Sequence, residues 1–460
     1  MIIPRVVIAA PGSDHGKTSV ATGLLGALRQ RGLAVSPHKV GPDYIDPGYH
    51  ALAAGRAGRN LDPWLVGEDQ IMPMFIHGAR TPAPADIAII EGVMGLFDGA
   101  SGGGDFASTA HVARLLGAPI VLVVDAAGFS SSAAALLHGF TTYDLRTRIG
   151  GVIFNKVGSA YHDQLLRGAA DAAGVPVLGA IRRLDQLAVP SRHLGLIPAA
   201  EHGGNAGAAV DALTAVVAGS VDLEAVLRLA RTADTISNPA DVYAERAVVT
   251  APRPRIAVAG GAAFTFGYAE HPELLAAAGA TVVTFDPLQD EKLPDDVHGL
   301  IIGGGFPEEH AADLSANASL RTQVTALARA GAPVLAECAG LLYLSRSLDG
   351  HPMCGVLAAD TAMTNKLTLG YRDAVALTGS PLGPAGTRAH GHEFHCTAVR
   401  PGGLPASAWR WQSRDTFVTE GFAHGRVHAS YLHTHWNGVP GAAARITAAA
   451  REYLQARAHG

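Results

Sequence analysis

APGSDHGKTS, Ala10 to Ser19, joins an apolar run, Arg5 to Ala10, to a helix-forming stretch, Lys17 to Arg31. This order of strand, glycine-bearing loop and helix decides the N-terminal fold. Backbone amides at a helix start form a cradle for phosphate groups. In the closing Gly16-Lys17-Thr18, the lysine reaches the terminal phosphate and the threonine hydroxyl binds magnesium. Gly12 and Ser19 complete the nucleotide-contacting set. The strict pattern is not met, because Pro11 stands where the first glycine falls and Gly12 comes one residue late.

Outward from this loop, short Val/Ile-rich runs alternate with stretches of helical length. Ala34–Val40, Ala85–Glu91, Pro119–Asp125 and Gly150–Asn155 read as strands, with helices over Ser108–Leu116 and Ala160–Ala173. Continuous apolar strands are buried on both faces, so the expected fold class is α/β, with a mainly parallel sheet covered by helices. The alternation fades after about Ala230. Ser237 to Arg255 is rich in proline, charge and breaks, as linkers are. A second alternation then begins at Ile256–Ala259, Thr281–Phe285, Leu300–Ile302 and Pro333–Ala336. The expected division is 1–236, a linker over 237–254, and 255–460.

The bulk composition narrows the function. The chain has 460 residues, 48% hydrophobic and 16% charged, with a formal net charge of -5. That favours a small-molecule substrate over nucleic acid. No run of about 18 uncharged apolar residues appears, so no membrane span is expected. The three cysteines, Cys338, Cys354 and Cys396, are odd in number and widely spaced, which fits a reducing cytoplasm.

Acidic residues cluster at the expected carboxyl edge of the first sheet. Glu91 ends its strand, and Asp43 and Asp46 follow the second strand in KVGPDYIDPGYH, Lys39 to His50. Glu91 and Asp43 are the expected magnesium ligands beside Thr18. Asp46 divides evenly between ligand or substrate contact and turn chemistry. EGVMGLFDGASGGGDFAST, Glu91 to Thr109, is a glycine-rich loop on the same edge. Tyr44, Asp98 and Ser108 are candidate substrate contacts, and Asn155 can read a purine edge or act as a cap.

The second half carries PVLAECAGLLYL, Pro333 to Leu344, read as strand, sharp turn and helix. Cys338 sits at the turn, where the helix N-terminus favours thiolate. Gly304 and Gly305, in GGGFPEEH, offer amides to an oxyanion. His433 and His435, in ASYLHTHW, alternate on an extended stretch and both face one site, one of them serving as base.

Taken in order, KVGPDYIDPGYH, EGVMGLFDG, GGGFPE, ECAG and YLHTHW resemble the cobyrinic acid / hydrogenobyrinic acid a,c-diamide synthase family over nearly the whole chain. The resemblance implies a dethiobiotin-synthetase-like P-loop domain followed by an α/β class I glutamine amidotransferase domain. It also implies ATP, Mg2+ and L-glutamine, and a corrinoid whose a and c carboxylates are amidated through acyl phosphates. It makes Cys338 the nucleophile and His433 its base. The chain departs from the amidotransferase pattern at Ala339, where glycine is usual, and at His435, where many members carry a glutamate. Ammonia at neutral pH is mostly ammonium, so an enclosed passage between the two sites is expected. Two rivals stay open: an amidotransferase for another tetrapyrrole, and a P-loop ATPase switch with a degenerate second domain. A homodimer is compatible with the sequence. Arginine outnumbering lysine hints at a GC-rich genome and so, by association, at the cobalt-free substrate.

Overall fold

The computed structural model describes residues 3–183, 191–192, 195–196, 204–236, 251–402 and 407–459. The chain divides into two compact units, Met1–Val242 and Tyr243–Gly460. Residues 237–250 of the expected linker lie outside the described residues.

The first unit holds one seven-stranded sheet. Its strands are β1 (Arg5–Ala9), β2 (Val35–Val40), β3 (Arg59–Leu61), β4 (Ile87–Glu91), β5 (Ile120–Asp125), β6 (Ile149–Val157) and β7 (Val177–Arg182). The order is β3-β2-β4-β1-β5-β6-β7, and every pairing is parallel. Val6, Val7 and Ile8 of β1, like Ile120 to Val124 of β5, are fully buried. That explains why these strands read as unbroken apolar runs. Helices α1 (Lys17–Gln30) and α2 (Asp46–Ala54) follow β1 and β2, and α3 (Thr109–Leu115) precedes β5. Because β4 lies between β2 and β1, the loops after these three strands meet in one crevice at their carboxyl ends, where ligands of open α/β sheets bind.

The second unit repeats the principle with a different sheet. β8 (Arg255–Ala259), β9 (Thr281–Phe285), β10 (Gly299–Ile302) and β11 (Val334–Glu337) are parallel neighbours in the order β9-β8-β10-β11. A long antiparallel ribbon, β12 (Ala359–Ala376) with β13 (Arg388–Pro401), forms a separate sheet. The parallel sheet continues from β11 to β15 (Val427–Ser430), which carries the antiparallel edge strand β14 (Phe422–His424). The two-residue strand β16 (His433–Thr434) pairs with the ribbon, placing His433 opposite His392. The short helix α4 (Ala339–Leu344) follows β11. Among the described residues no helix is long and apolar enough to cross a membrane.

Candidate active site

In the first unit the loop after β1 turns into α1 through Gly16, which has φ 91° and initiates the helix. A Cβ there would lie 2.2 Å from Asn155 Nδ2, so both the backbone angle and the space require glycine. Asn155 braces this turn: its Nδ2 donates to the His15 carbonyl at 3.0 Å. Gly16, Ser19, Asn155, Lys156 and Arg182 line a cleft of about 420 Å³ beside the loop. Lys17 is buried and folds back onto the carbonyls of Gly12 (2.9 Å) and Met94 (2.6 Å). Burial, followed by the charge on Lys39, lowers the Lys17 ammonium to about 8. Its carbonyl partners are neutral, so a phosphate oxygen offers the stronger, charge-assisted bond.

Next to Lys17 the crevice is lined by oxygen donors around one buried cation. The Thr18 hydroxyl lies 2.7 Å from Glu91 Oε1 and 3.2 Å from Asp46 Oδ2. Lys39 Nζ donates to Asp46 Oδ2 at 2.6 Å, Glu91 Oε1 at 2.8 Å and the Gly92 carbonyl at 3.2 Å. His50 Nε2 stands 2.7 Å from the other Glu91 oxygen. Burial pushes the Glu91 carboxyl up, but Lys39 and His50 outweigh it and hold it well below the usual carboxylate range. Asp46 goes the other way: burial and neighbouring Asp43 raise it well above that range despite Lys39. Burial lowers Lys39, yet Asp46 and Glu91 together raise it above its ordinary value. Sequence reasoning assigned no role to Lys39 or His50, although they are the first and last residues of KVGPDYIDPGYH.

The ranking of the two aspartates is corrected. Asp43 Oδ1 accepts the amides of Ile45 (2.7 Å) and Asp46 (3.0 Å), so it shapes the turn into α2. Asp46, at the start of α2, is the acid that reaches Thr18. Two candidate contacts in these loops, and the neighbouring Thr109, also have structural work. Asp98 Oδ2 accepts the Gly95 amide at 2.8 Å. Ser108 is fully buried and caps α3 by accepting the His111 amide at 3.1 Å, which removes it from the substrate contacts. Thr109 exchanges hydrogen bonds with both backbone groups of Val93. Tyr44 lies half-buried in the bend between β2 and α2.

Among the described residues no group of three or more His, Cys, Asp and Glu is placed to hold a metal by itself. Magnesium takes one or two carboxylates and completes its shell with phosphates and water, so Thr18, Asp46 and Glu91 are a fitting all-oxygen donor set.

In the second unit Cys338 occupies the elbow between β11 and α4, with φ 49° and ψ -102°. A non-glycine residue at such angles is strained and is held by its surroundings. The Cys338 amide donates to the Ser430 carbonyl at 2.7 Å, and the Gly340 amide donates to the Gly303 carbonyl at 3.0 Å. A Cβ on Gly340 would sit 2.2 Å from the Ile302 carbonyl, so glycine there lets the elbow close onto β10. Cys338 Sγ lies 3.9 Å from the Phe394 carbonyl of β13. The expected thiolate is not favoured: burial, then Glu308, pushes the Cys338 thiol above its ordinary range, outweighing the Ala339 amide at the helix start. His433 is fully buried and is lowered to about 3 by burial, then by His392 and His395. Burial thus favours the uncharged form of each group.

One further expectation is corrected here. The Gly304 amide donates to the Phe266 carbonyl at 3.0 Å, which removes it as an oxyanion donor and leaves Gly305. Gly304 has a steric role instead, since a Cβ there would lie 2.4 Å from His433 Cε1. His435 continues the extended backbone of His433, with φ -95° and ψ 123°, and caps the 3-10 turn that begins at Trp436. His435 Nδ1 accepts the Asn437 amide at 3.2 Å, and its Nε2 is 3.6 Å from Glu270. Its ring packs 4.5 Å from that of Tyr268.

A phosphate cradle and a strained cysteine elbow in one chain define a class, and the comparisons agree. Residues 6–197 match the CobQ/CobB/MinD/ParA nucleotide binding domain family, and residues 255–440 match the CobB/CobQ-like glutamine amidotransferase domain family. The chain thus joins a nucleotide-binding domain to a glutamine amidotransferase domain. It is 57% identical to a hydrogenobyrinate a,c-diamide synthase of Streptomyces coelicolor, covering 96% of this chain and 97% of that one. A protein of the same name from Mycobacterium tuberculosis is also 57% identical, with 97% and 98% covered. A cobyrinate a,c-diamide synthase of Synechococcus sp. is 41% identical, with 95% and 96% covered. The chain belongs to the hydrogenobyrinate/cobyrinate a,c-diamide synthase family.

Proposed function

We propose that this chain amidates the a and c side-chain carboxylates of hydrogenobyrinic acid, using ATP and L-glutamine. The observation that carries the reading is the buried group of Thr18, Lys39, Asp46 and Glu91 beside Lys17, in a chain that also holds the Cys338 elbow. A carboxylate is a poor acyl donor and must be activated first. Its oxygen attacks the terminal phosphorus of ATP, giving an acyl phosphate and ADP. Lys17 and Lys39 hold the developing phosphoryl charge, and the loop amides fix the transferring group in line. Thr18, Asp46 and Glu91 would hold a magnesium ion, which would supply positive charge against that of the phosphates. Ammonia then attacks the acyl carbon, and phosphate leaves.

Ammonia comes from glutamine. His433 takes the Cys338 proton as sulfur attacks the side-chain amide carbon, and returns it to the departing nitrogen. The amides of Ala339 and Gly305 are the oxyanion donors. Water then releases glutamate from the thioester. Burial favours the uncharged thiol and the uncharged imidazole, and His433 accepts the proton as the sulfur attacks. Ammonia passes to the acyl phosphate without mixing with bulk ammonium. The identities of 57% with hydrogenobyrinate enzymes against 41% with a cobyrinate enzyme support the cobalt-free acid. The test is purified chain with ATP, magnesium and glutamine, offered each acid in turn. Doubly amidated hydrogenobyrinic acid in the product mass is expected; no amidation of either acid would overturn the proposal.

A further inference from the structure

At the position where many amidotransferases of this class carry a glutamate two residues after the catalytic histidine, this chain carries His435. His435 is engaged with Asn437 and Glu270, so it does not orient His433. A carboxylate is nevertheless present, arriving from a different element. Glu337, the last residue of β11 and the neighbour of Cys338, places Oε2 3.7 Å from His433 Nδ1. Its other oxygen is anchored: Oε1 accepts the Thr434 amide at 3.1 Å and the Thr434 hydroxyl at 2.9 Å. Thr434 is fully buried and belongs with His433 to the two-residue strand β16, so carboxylate and imidazole share one rigid support.

We infer that Glu337 is the positioning residue for His433, supplying from the nucleophile strand the orienting carboxylate that His435 has displaced from its usual place. The inference rests on Cys338 and His433 being the glutamine-hydrolysing pair. A carboxylate facing Nδ1 at 3.7 Å favours the proton there electrostatically, which leaves the Nε2 lone pair for the thiol. It also stabilises the imidazolium formed when the thiol proton moves. Burial raises the Glu337 carboxyl to about 7 against the Thr434 hydrogen bonds, so the orienting carboxylate form prevails only above that pH. The other titratable groups that act on Cys338 or His433 are Glu308, Glu420, Tyr431, His271, His392 and His395.

The test compares Glu337→Gln and Glu337→Asp in the full-length chain. A glutamine side chain in place of Glu337 preserves size and offers Thr434 an oxygen but turns an amide N–H toward Nδ1. Glutamine-supported kcat should fall about 10²–10⁴-fold, by analogy with a triad whose carboxylate becomes an amide. KM for glutamine and ammonia-supported amidation should hold. The rate of Cys338 modification by 6-diazo-5-oxo-L-norleucine should fall in parallel and lose its wild-type pH profile, with partial return in Glu337→Asp. Glutamine-supported turnover of Glu337→Gln at the wild-type rate would overturn the inference. One measurement needs no variant at this position: 15N spectra of histidine-labelled wild-type chain, with His433 assigned by its substitution. The neutral ring should carry its proton on Nδ1; a proton on Nε2 overturns the inference whatever the variants do. If Cys338→Ala still hydrolysed glutamine, the underlying site would fail instead, a separate outcome.

Discussion

Replacing Lys39 with methionine removes the one ammonium set between two buried carboxylates while filling most of its volume. Its side chain is 4% exposed, that of Asp46 11% and that of Glu91 1%, so water cannot take its place without rearrangement. Removing one partner of a buried ion pair typically destabilises by about 3–5 kcal/mol, because the remaining charge is uncompensated. His50 still faces Glu91 and places the loss toward the lower end. For a unit of this size about 2–4 °C of melting temperature accompanies each kcal/mol, so at about 3 kcal/mol the transition of this unit should fall by about 6–12 °C. The deficit should depend on pH. In the wild type, the depressed Glu91 carboxyl contributes stability above the pKa of a free glutamate, and this is lost as pH falls through its lower folded value. Without Lys39 the burial effect wins and the carboxyl binds a proton more readily than a free one. Its contribution becomes unfavourable at neutral pH, and the deficit narrows toward pH ~5. Differential scanning calorimetry in EDTA from mild acid to pH 8, repeated with magnesium, reads both effects. Magnesium should restore part of the loss, since a divalent cation satisfies the same oxygens. A melting temperature within about 2 °C of wild type at neutral pH would refute the electrostatic account of this cluster.

Other outcomes follow from the same geometry. Lys17 must be charged to hold phosphate, and its ammonium is lowered to about 8, so kcat/KM for ATP should fall as pH rises through that value; Lys17→Arg should lack this limb, and a flat wild-type profile would count against Lys17 as the phosphate ligand. Asp46→Asn should raise the magnesium concentration needed for half-maximal amidation far more than Asp43→Asn, whose effect should appear mainly in stability; equal magnesium titrations would restore the opposite ranking. With 15N-labelled glutamine and excess unlabelled ammonium, the product amides should keep the label, and dilution to the bulk ratio would refute protected transfer.

Much of the fold is legible because parallel strands covered on both faces leave unbroken apolar runs. Arg5–Ala9 and Ile120–Asp125 fall within one residue of the stretches read from sequence. β3 was invisible for the opposite reason. Its residues are Arg59, Asn60 and Leu61, and it is buried through bonding: Asn60 Nδ2 donates to the carbonyls of Gly41 (2.8 Å) and Asp43 (2.6 Å), holding the acidic loop in place. The ribbon of β12 and β13 was missed because most of β12 is exposed or half-buried, so it lacks the unbroken apolar run of a fully buried strand. In the candidate sites, residue types and order pointed to the elbow and the phosphate loop. Spacing along the chain did not reveal which acid turns toward Thr18. Nor did it reveal that His435 would be engaged by Asn437 and Glu270, since each depends on local contacts. Glu337 sat in plain view beside Cys338, and its direction emerges only when β16 lies against it.

The central claim is that activation and ammonia production are separate tasks of separate units. It is tested most directly by Cys338→Ala assayed with hydrogenobyrinic acid, ATP and magnesium, with glutamine in one reaction and ammonium in the other. Glutamine-supported amidation should vanish while ammonium-supported amidation proceeds near the wild-type rate. Retained glutamine-supported product, or the loss of both activities in a folded variant, would contradict the account.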